Sequence, residues 1–384
     1  MAAKRVIYII MLLTVSAAFV FVNNEITLFF LVCLLAFPHI SLVMILLACK
    51  SVRFDLAVRD SCIRGGTLQL TMRASVKPRF FVGCIKVTVA IENTTFHKTE
   101  YKSFIIKDLS YASHVFDYNG ADSGRICVKC DAIKLIGVFG IFSVKMRCPV
   151  FAEAIVSPML YEDVAVNMGE NGSDTVFGDT ALPKKGGDIT EVFNVRDYAP
   201  GDPPNAVHWK LSGKFGILKS KEFGATDDRR TLILVDMSRN KFGTSATDEQ
   251  LNGVLDVAVS ISNALKTTGY FHSVGWFDDG VFESSEVVDS DTFVRTVGKL
   301  MSVKVNNGNE ENMFYLSRTA ACAVFTKIIF VSSVVNYEEF KEVANAEITA
   351  IEVGNGFGQA NDQGVRVINI PYDNIHDALM ACNI

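Results

Sequence analysis

Thr231-Leu232-Ile233-Leu234-Val235-Asp236-Met237-Ser238-Arg239-Asn240 opens as a continuous apolar run and ends in a polar turn. A run of this kind suits a strand buried on both faces, as the strands of parallel sheets are. Thr247 and Gln250 follow at capping-box spacing. They open a helix whose apolar face is Leu251, Leu255, Ala258 and Leu265. Further strands are expected at 273–277, 327–332, 348–353 and 365–370, with helices near 291–303, 336–345 and 374–382. Alternation of strand and helix predicts a doubly wound α/β sheet over 231–384, with sites beyond the carboxyl ends of its strands. Asp236 and Ser238 stand at such an end. Asp278-Asp279-Gly280 reads as a hairpin turn in preference to a catalytic carboxylate pair.

Upstream the character changes twice. The chain has 384 residues, 49% of them hydrophobic, a mean hydropathy of +0.26 and a formal charge of −5. That length calls for two or three domains. The mild negative charge argues against a general nucleic-acid binder, and the hydropathy directs attention to membrane segments. Residues 6–22 and 26–49 contain no Asp, Glu, Lys or Arg and are separated only by Asn23-Asn24-Glu25. About 20 helical residues cross a bilayer core, so residues 1–50 are read as a transmembrane helical hairpin. A signal peptide competes for the first segment, but a second apolar span follows at once. Lys4 and Arg5 precede the first span, and Lys50, Arg53 and Arg59 follow the second. The positive-inside rule then expects a cell-membrane protein with both termini and the large C-terminal part in the cytoplasm. Nine scattered cysteines suit the reduced thiols of that compartment. Pro38 is expected to kink the second span, with His39 bonded locally beside it.

Residues 51–160 alternate in short runs such as 67–72, 85–90 and 124–130, with turn signals between them. This predicts an antiparallel β-sandwich-like module of roughly seven strands. Cys127 and Cys130 form a C-x2-C, yet in a strand their thiols would face opposite ways and no second pair matches them. Residues 161–230 are the connector. Their core is Asp188 to Phe223, DITEVFNVRDYAPGDPPNAVHWKLSGKFGILKSKEF. Here Arg196-Asp197-Tyr198 and His208-Trp209-Lys210 frame a turn that contains Pro200, Gly201 and Asp202.

Two resemblances follow from these residues. The strand ending in Asp236-x-Ser238 is similar to the metal-ion-dependent adhesion site of von Willebrand factor A domains, in which an Asp and two hydroxyls help to hold Mg²⁺. Asn240 occupies the third position here, Ser332 and Ser333 stand where the later Asp would fall, and the Thr has no clear counterpart within 306–319. The site is therefore degenerate: Mg²⁺ on Asp236, Ser238 and Asn240 is doubtful, no other cofactor is expected, and Asp236 capping the next turn or helix is the simpler expectation. The second resemblance covers nearly the whole chain. Asp188, Val195 to Tyr198, Pro200-Gly201-Asp202 and Val207 to Lys210, with Gly137 to Phe142 upstream, closely resemble the bacterial domain-of-unknown-function 58 family. It implies a membrane-anchored cytoplasmic adaptor that works with a MoxR-type AAA+ ATPase in assembling or maturing protein complexes.

A non-enzymatic interaction protein is thus the expected function, bound to the lipid bilayer and with no evident small-molecule substrate. The alternative is an enzyme of unknown reaction using Arg196, Asp197 and His208, with Lys210 nearby, as an acid–base or phosphate site. The blander account of the same residues pairs Arg196 with Asp202 or Asp197 and packs Tyr198 and Trp209 onto the sheet. Lys210, Lys214, Lys219, Lys221, Arg229 and Arg230 form a basic run, but Glu222, Asp227 and Asp228 interleave with it and make a solvated face the simpler reading.

Overall fold

The computed structural model describes residues 2–22, 24–59, 61–77, 82–137, 140–164, 192–198, 207–223, 230–309, 312–318, 324–341, 343, 346–362 and 365–382. Its content is mixed α/β, with several sheets behind an apolar two-helix hairpin.

Helices α1 (Ala2–Val22) and α2 (Glu25–Cys49) are each long and apolar enough to cross a membrane. Pro38 sits inside α2, which continues past it. Proline lacks the N–H that would meet the carbonyl four residues back. That carbonyl, on Leu34, instead accepts from the Tyr8 hydroxyl of α1 at 2.8 Å. His39 Nδ1 lies 2.8 Å from the Leu35 carbonyl, the local bonding that the sequence suggests.

Nine strands follow among the described residues: β1 (Arg53–Val58), β2 (Ser61–Ile63), β3 (Thr67–Ser75), β4 (Val82–Asn93), β5 (Lys98–Ile106), β6 (Ser110–Asn119), β7 (Gly124–Gly137), β8 (Ser143–Met146) and β9 (Phe151–Ser157). They form one sheet in the order β1-β3-β6 and another in the order β2-β9-β7-β4-β5, with β8 added on β7. Alternate residues, Leu68, Leu70 and Met72 of β3 with Ile85, Val87 and Val89 of β4, enter one shared core. Ile45 and Ala48 of α2 enter the same core, so the hairpin is seated on the β module. The sheets are not wholly antiparallel, since β2 runs parallel to β9. A register shift opposite Val89 leaves Asp131 unpaired within β7.

The connector supplies β10 (Val192–Asp197), α3 (Trp209–Phe215) and β11 (Lys219–Phe223), with β10 antiparallel to β11. The remaining elements are β12 (Arg230–Val235), β13 (Ser238–Lys241), β14 (Thr244–Ser245), α4 (Asp248–Thr267), β15 (His272–Asp278), β16 (Val281–Val287), α5 (Ser290–Leu300), β17 (Asn306–Asn309), α6 (Asn312–Ser317), β18 (Phe325–Ser332), β19 (Glu347–Gly354), β20 (Gly358–Asp362), β21 (Val365–Pro371) and α7 (Ile375–Ala381). The main sheet has the order β16-β15-β12-β18-β19-β21-β20. Its five inner strands are parallel, and an antiparallel strand closes each edge. From β12 the chain winds outward to β15 and β16, then returns to β18 and winds the other way. One face buries Ile233, Val235, Ile329 and Val331 beneath α4, α5 and α7. The other buries Leu232, Leu234, Ile328 and Phe330 with Met313 and Leu316 of α6.

The helix expected near 336–345 is only a 3-10 turn, Tyr337–Phe340. Asn336 caps this tight turn, accepting from the Glu338 amide at 3.1 Å. The turn sends the neighbouring Glu339 and Phe340 inward, each 3–4% exposed.

Candidate functional site

Asp236 follows β12 at the point where strand order reverses, the switch point at which open α/β sheets place their sites. A hairpin then folds back over it. Phe242 and Gly243 take φ of 49° and 80°, as both central residues of a type I′ loop must. That loop pairs Lys241 with Thr244 and turns Lys241 toward the end of β12.

The two oxygens of Asp236 are each met twice. Oδ1 accepts from the Ser238 amide at 3.0 Å and from Asn312 Nδ2 at 2.6 Å. Oδ2 accepts from Lys241 Nζ at 2.7 Å and lies 2.9 Å from the Ser332 hydroxyl. A carboxylate offers about four lone-pair sites; three face N–H donors, and the fourth faces the Ser332 hydroxyl, whose one proton is shared with the Val334 carbonyl at 2.9 Å. Lys241 Nζ also reaches Glu339 Oε1 at 2.8 Å and Oε2 at 3.0 Å. The Phe330 ring centroid lies 4.8 Å from it, close enough for a cation–π contribution. The side chains of Asp236, Lys241 and Glu339 are 0–1% exposed. Burial alone would push the Lys241 ammonium down, but Asp236 and Glu339 outweigh that and hold its pKa above the ordinary lysine value. Behind the pair, burial raises the Glu352 carboxyl, against the Val335 amide and the charge of Lys241.

The structure brings Asp236 and Ser238 together but turns Asn240 away. Asn240 is exposed, and its Nδ2 donates to the Asn307 carbonyl at 2.8 Å. Ser332, expected only to fill the place of a missing Asp, touches Asp236 directly. The sequence reading missed Asn312, Glu339 and Lys241. The local contact expected of Asp236 is present, since its Oδ1 takes the Ser238 amide two residues on.

The connector residues do something different. The β10–β11 register sets Arg196 opposite Ser220 and Asp197 opposite Lys219. The Tyr198 amide donates to the Leu218 carbonyl at 2.9 Å. His208 caps α3, its Nδ1 accepting from the Leu211 amide at 3.3 Å. Lys210 is exposed. Trp209, expected to pack the loop onto the sheet, is 68% exposed: it opens a seven-residue helix of which Ser212 is the buried residue, so the helix offers it little surface to pack on. Asp188, Pro200, Gly201 and Asp202 lie outside the described residues.

A second buried polar grouping joins the α/β unit to the β module. Asn252, Asp256 and Ser260 recur every fourth residue along α4 and so form one stripe. Asn252 Oδ1 accepts from the Ser123 amide at 2.9 Å, Asp256 Oδ1 from the Met159 amide at 2.8 Å, and Ser260 Oγ from the Tyr161 amide at 3.0 Å. Arg64 pairs with the other Asp256 oxygen. Burial pushes the Asp256 carboxyl up to about 7, against the pull of Arg64 and the Met159 amide. Inside the unit, Ser262 Oγ lies 2.7 Å from His272 Nε2 and the Tyr270 carbonyl lies 3.1 Å from Nδ1. Burial lowers the His272 pKa to about 4. The neutral ring therefore donates from Nδ1 and accepts the Ser262 proton. With both side chains buried, this serine–histidine pair ties α4 to β15 and offers a substrate no access.

No family model matches the chain, and no curated protein does. Among solved structures, a cohesin module from a Clostridium perfringens family 33 glycoside hydrolase is similar over 28% of this chain and 96% of that one, at 7% identity and a TM-score of 0.22. The Pseudomonas fluorescens alkylpurine DNA glycosylase AlkC matches over 26% of this chain and 31% of its own, at 14% identity and 0.17. A PKD domain of an M14-like peptidase from a Thermoplasmatales archaeon matches over 25% and 93%, at 14% identity and 0.17. Likenesses at these TM-scores carry no argument about fold or activity.

Proposed function

We propose that this chain is a membrane-anchored cytoplasmic interaction protein of the domain-of-unknown-function 58 type. Its C-terminal unit is a von Willebrand factor A-like docking domain, and its partner is a MoxR-type AAA+ ATPase. The observation that carries this reading is the switch point of the main sheet. The crevice in which doubly wound folds take small ligands is filled by Lys241, Glu339 and Asn312, which leaves outer surfaces for recognition. The strand order, winding both ways from β12, supports the A-like assignment.

The anchor fits the same picture. Arg5 Nε donates to the Ile141 carbonyl at 2.9 Å, and a Cβ at Gly137 would stand 2.8 Å from Ile45 Cδ1. The start of α1 and the end of α2 therefore meet the β module on one side, beside the basic residues that favour a cytoplasmic orientation. The ATPase as partner rests on the resemblance of the connector residues. The enzymatic alternative gains nothing from His208, whose Nδ1 is spent on a helix cap.

The test is size-exclusion chromatography of the full chain in detergent micelles with the ATPase, in ATP and in ADP. Co-elution in at least one nucleotide state is expected. Separate elution in both would reject the partnership.

A further inference from the structure

We infer that Lys241 supplies, from within the chain, the cation that a divalent metal supplies in adhesion-type sites, so that this switch point works without metal. The inference rests on the A-like reading above only for the position that a metal would have taken.

Asp236, Ser238 and Ser332 are oxygen donors at adjacent strand ends, the chemistry a hard cation prefers. As arranged here they do not fit one. A divalent ion needs lone pairs aimed at a common point, and the lone pairs of Asp236 already face an ammonium, two N–H donors and a hydroxyl. Ser238 Oγ faces Asn312 Nδ2 at 3.3 Å. Turning the Asn312 amide over would set its oxygen against Asp236 Oδ1 at 2.6 Å, acceptor against acceptor, so the donor orientation is fixed by Asp236. Lys241 balances part of the charge of Asp236 and Glu339, which is the role a bound cation would have.

The replacement has a consequence for recognition. A metal with an open coordination position can capture a carboxylate from a partner. Lys241 has three N–H donors; it hydrogen-bonds Asp236 Oδ2 and Glu339 Oε2, and it stands 2.8 Å from Glu339 Oε1, so its charge is directed at two carboxylates of its own chain. Docking by this unit is then insensitive to chelators and uses a surface other than the switch point.

The experiment is Mn²⁺ binding by electron paramagnetic resonance on the full chain in detergent micelles, comparing wild type, Asp236→Asn and Lys241→Ala. The expected result is no Mn²⁺ on wild type beyond that on Asp236→Asn, and a thermal midpoint unmoved by Mg²⁺, Mn²⁺ or EDTA. Lys241→Ala frees Asp236, Glu339, Ser238 and Ser332 around a vacated position, so it is expected to take up stoichiometric Mn²⁺. Stoichiometric Mn²⁺ on wild type that Asp236→Asn removes would overturn the inference, whether or not Lys241→Ala folds. A folded Lys241→Ala that binds no Mn²⁺ would also overturn it, because the position would then not be a cation site. Neither outcome bears on association with the ATPase, which is read separately by co-elution.

Discussion

Lys241 Nζ stands 2.7 Å from Asp236 Oδ2, and neither side chain is more than 1% exposed. Removing charges from water is expensive, and a buried pair regains that cost only with good geometry and further hydrogen bonds. Asp236 meets both conditions, because Lys241, Asn312, Ser332 and the Ser238 amide surround its two oxygens. The pair joins the β13–β14 hairpin to the end of β12 and the turn at Glu339, which are far apart in the chain.

Breaking the pair from one side should therefore be costly. Lys241→Met leaves two buried carboxylates without their cation and is expected to lower stability by about 3–5 kcal/mol. Adding Asp236→Asn and Glu339→Gln to Lys241→Met removes the uncompensated charge and should recover part of that loss. Thermal unfolding of the micellar chain, followed through the buried Trp276, measures both. Equal losses in the single and triple variants would refute the charge argument.

Asp256 and His272 titrate in opposite senses over nearly the same range. The Asp256 carboxyl moves from an ordinary 3.8 up to about 7 on folding. Between those values the folded chain holds a proton that the unfolded chain has released, so its contribution to stability falls as pH rises from about 4 to about 7. His272 moves from 6.5 down to about 4, and its contribution is lost as pH falls through that window. In wild type the two slopes offset each other. Asp256→Asn should expose the histidine slope alone, making the chain more acid-sensitive between pH 6.5 and 4 than wild type. Superimposable pH profiles would show that Asp256 does not titrate in this range.

Where the sequence was legible, a local pattern and a tertiary demand coincided. Asp279-Gly280 announces its hairpin because Asp and Gly both tolerate positive φ, and the structure has φ of 47° and 78° there. Phe242-Gly243 makes the same kind of turn with a residue that gives no turn signal, so the hairpin carrying Lys241 could not be read. A lysine soon after a strand end ordinarily means solvent, and only tertiary packing turns this one inward. The apolar face of α4 was readable at helical spacing, whereas nothing local marks Asn252, Asp256 and Ser260 as buried positions. They are buried because the β module covers them, a contact that no local pattern encodes. Asn312 and Glu339 reach Asp236 and Lys241 from 76 and 98 residues away.

Gly124 is a sensitive point of the joint between the β module and the α/β unit. Its φ is +132°, and a Cβ there would lie 2.6 Å from Thr95 Oγ1 and 2.7 Å from Thr95 Cβ. Thr95 cannot yield freely, because its hydroxyl donates to the Met301 carbonyl and its own carbonyl takes the Val305 amide, both at 2.7 Å. Gly124→Ala should cost at least the roughly 1–3 kcal/mol of a strained backbone, measured as a lowered thermal midpoint. Gly213→Ala is the control: its Cβ meets nothing within 4 Å, so within α3 it should be neutral or stabilising by roughly 0.5–1 kcal/mol. Similar midpoints for the two variants would remove Thr95 from the account.

The last prediction concerns the apolar two-helix hairpin. Pro38 deprives the Leu34 carbonyl of its helical partner, and the Tyr8 hydroxyl takes its place at 2.8 Å. In hydrocarbon a freed backbone group must find a partner within the protein, and a neighbouring helix is one source. Tyr8→Phe removes that partner and should weaken the α1–α2 hairpin by about 1 kcal/mol, the size of interhelical hydrogen bonds in membranes. In a Pro38→Ala background the Leu34 carbonyl regains its helical N–H, and the same substitution should cost markedly less. The difference between the two backgrounds is the coupling between Tyr8 and Pro38, readable from thermal midpoints of the four micellar chains. Equal effects of Tyr8→Phe in both backgrounds would mean that the hydroxyl stabilises the hairpin, if at all, by something other than satisfying the proline's orphaned carbonyl.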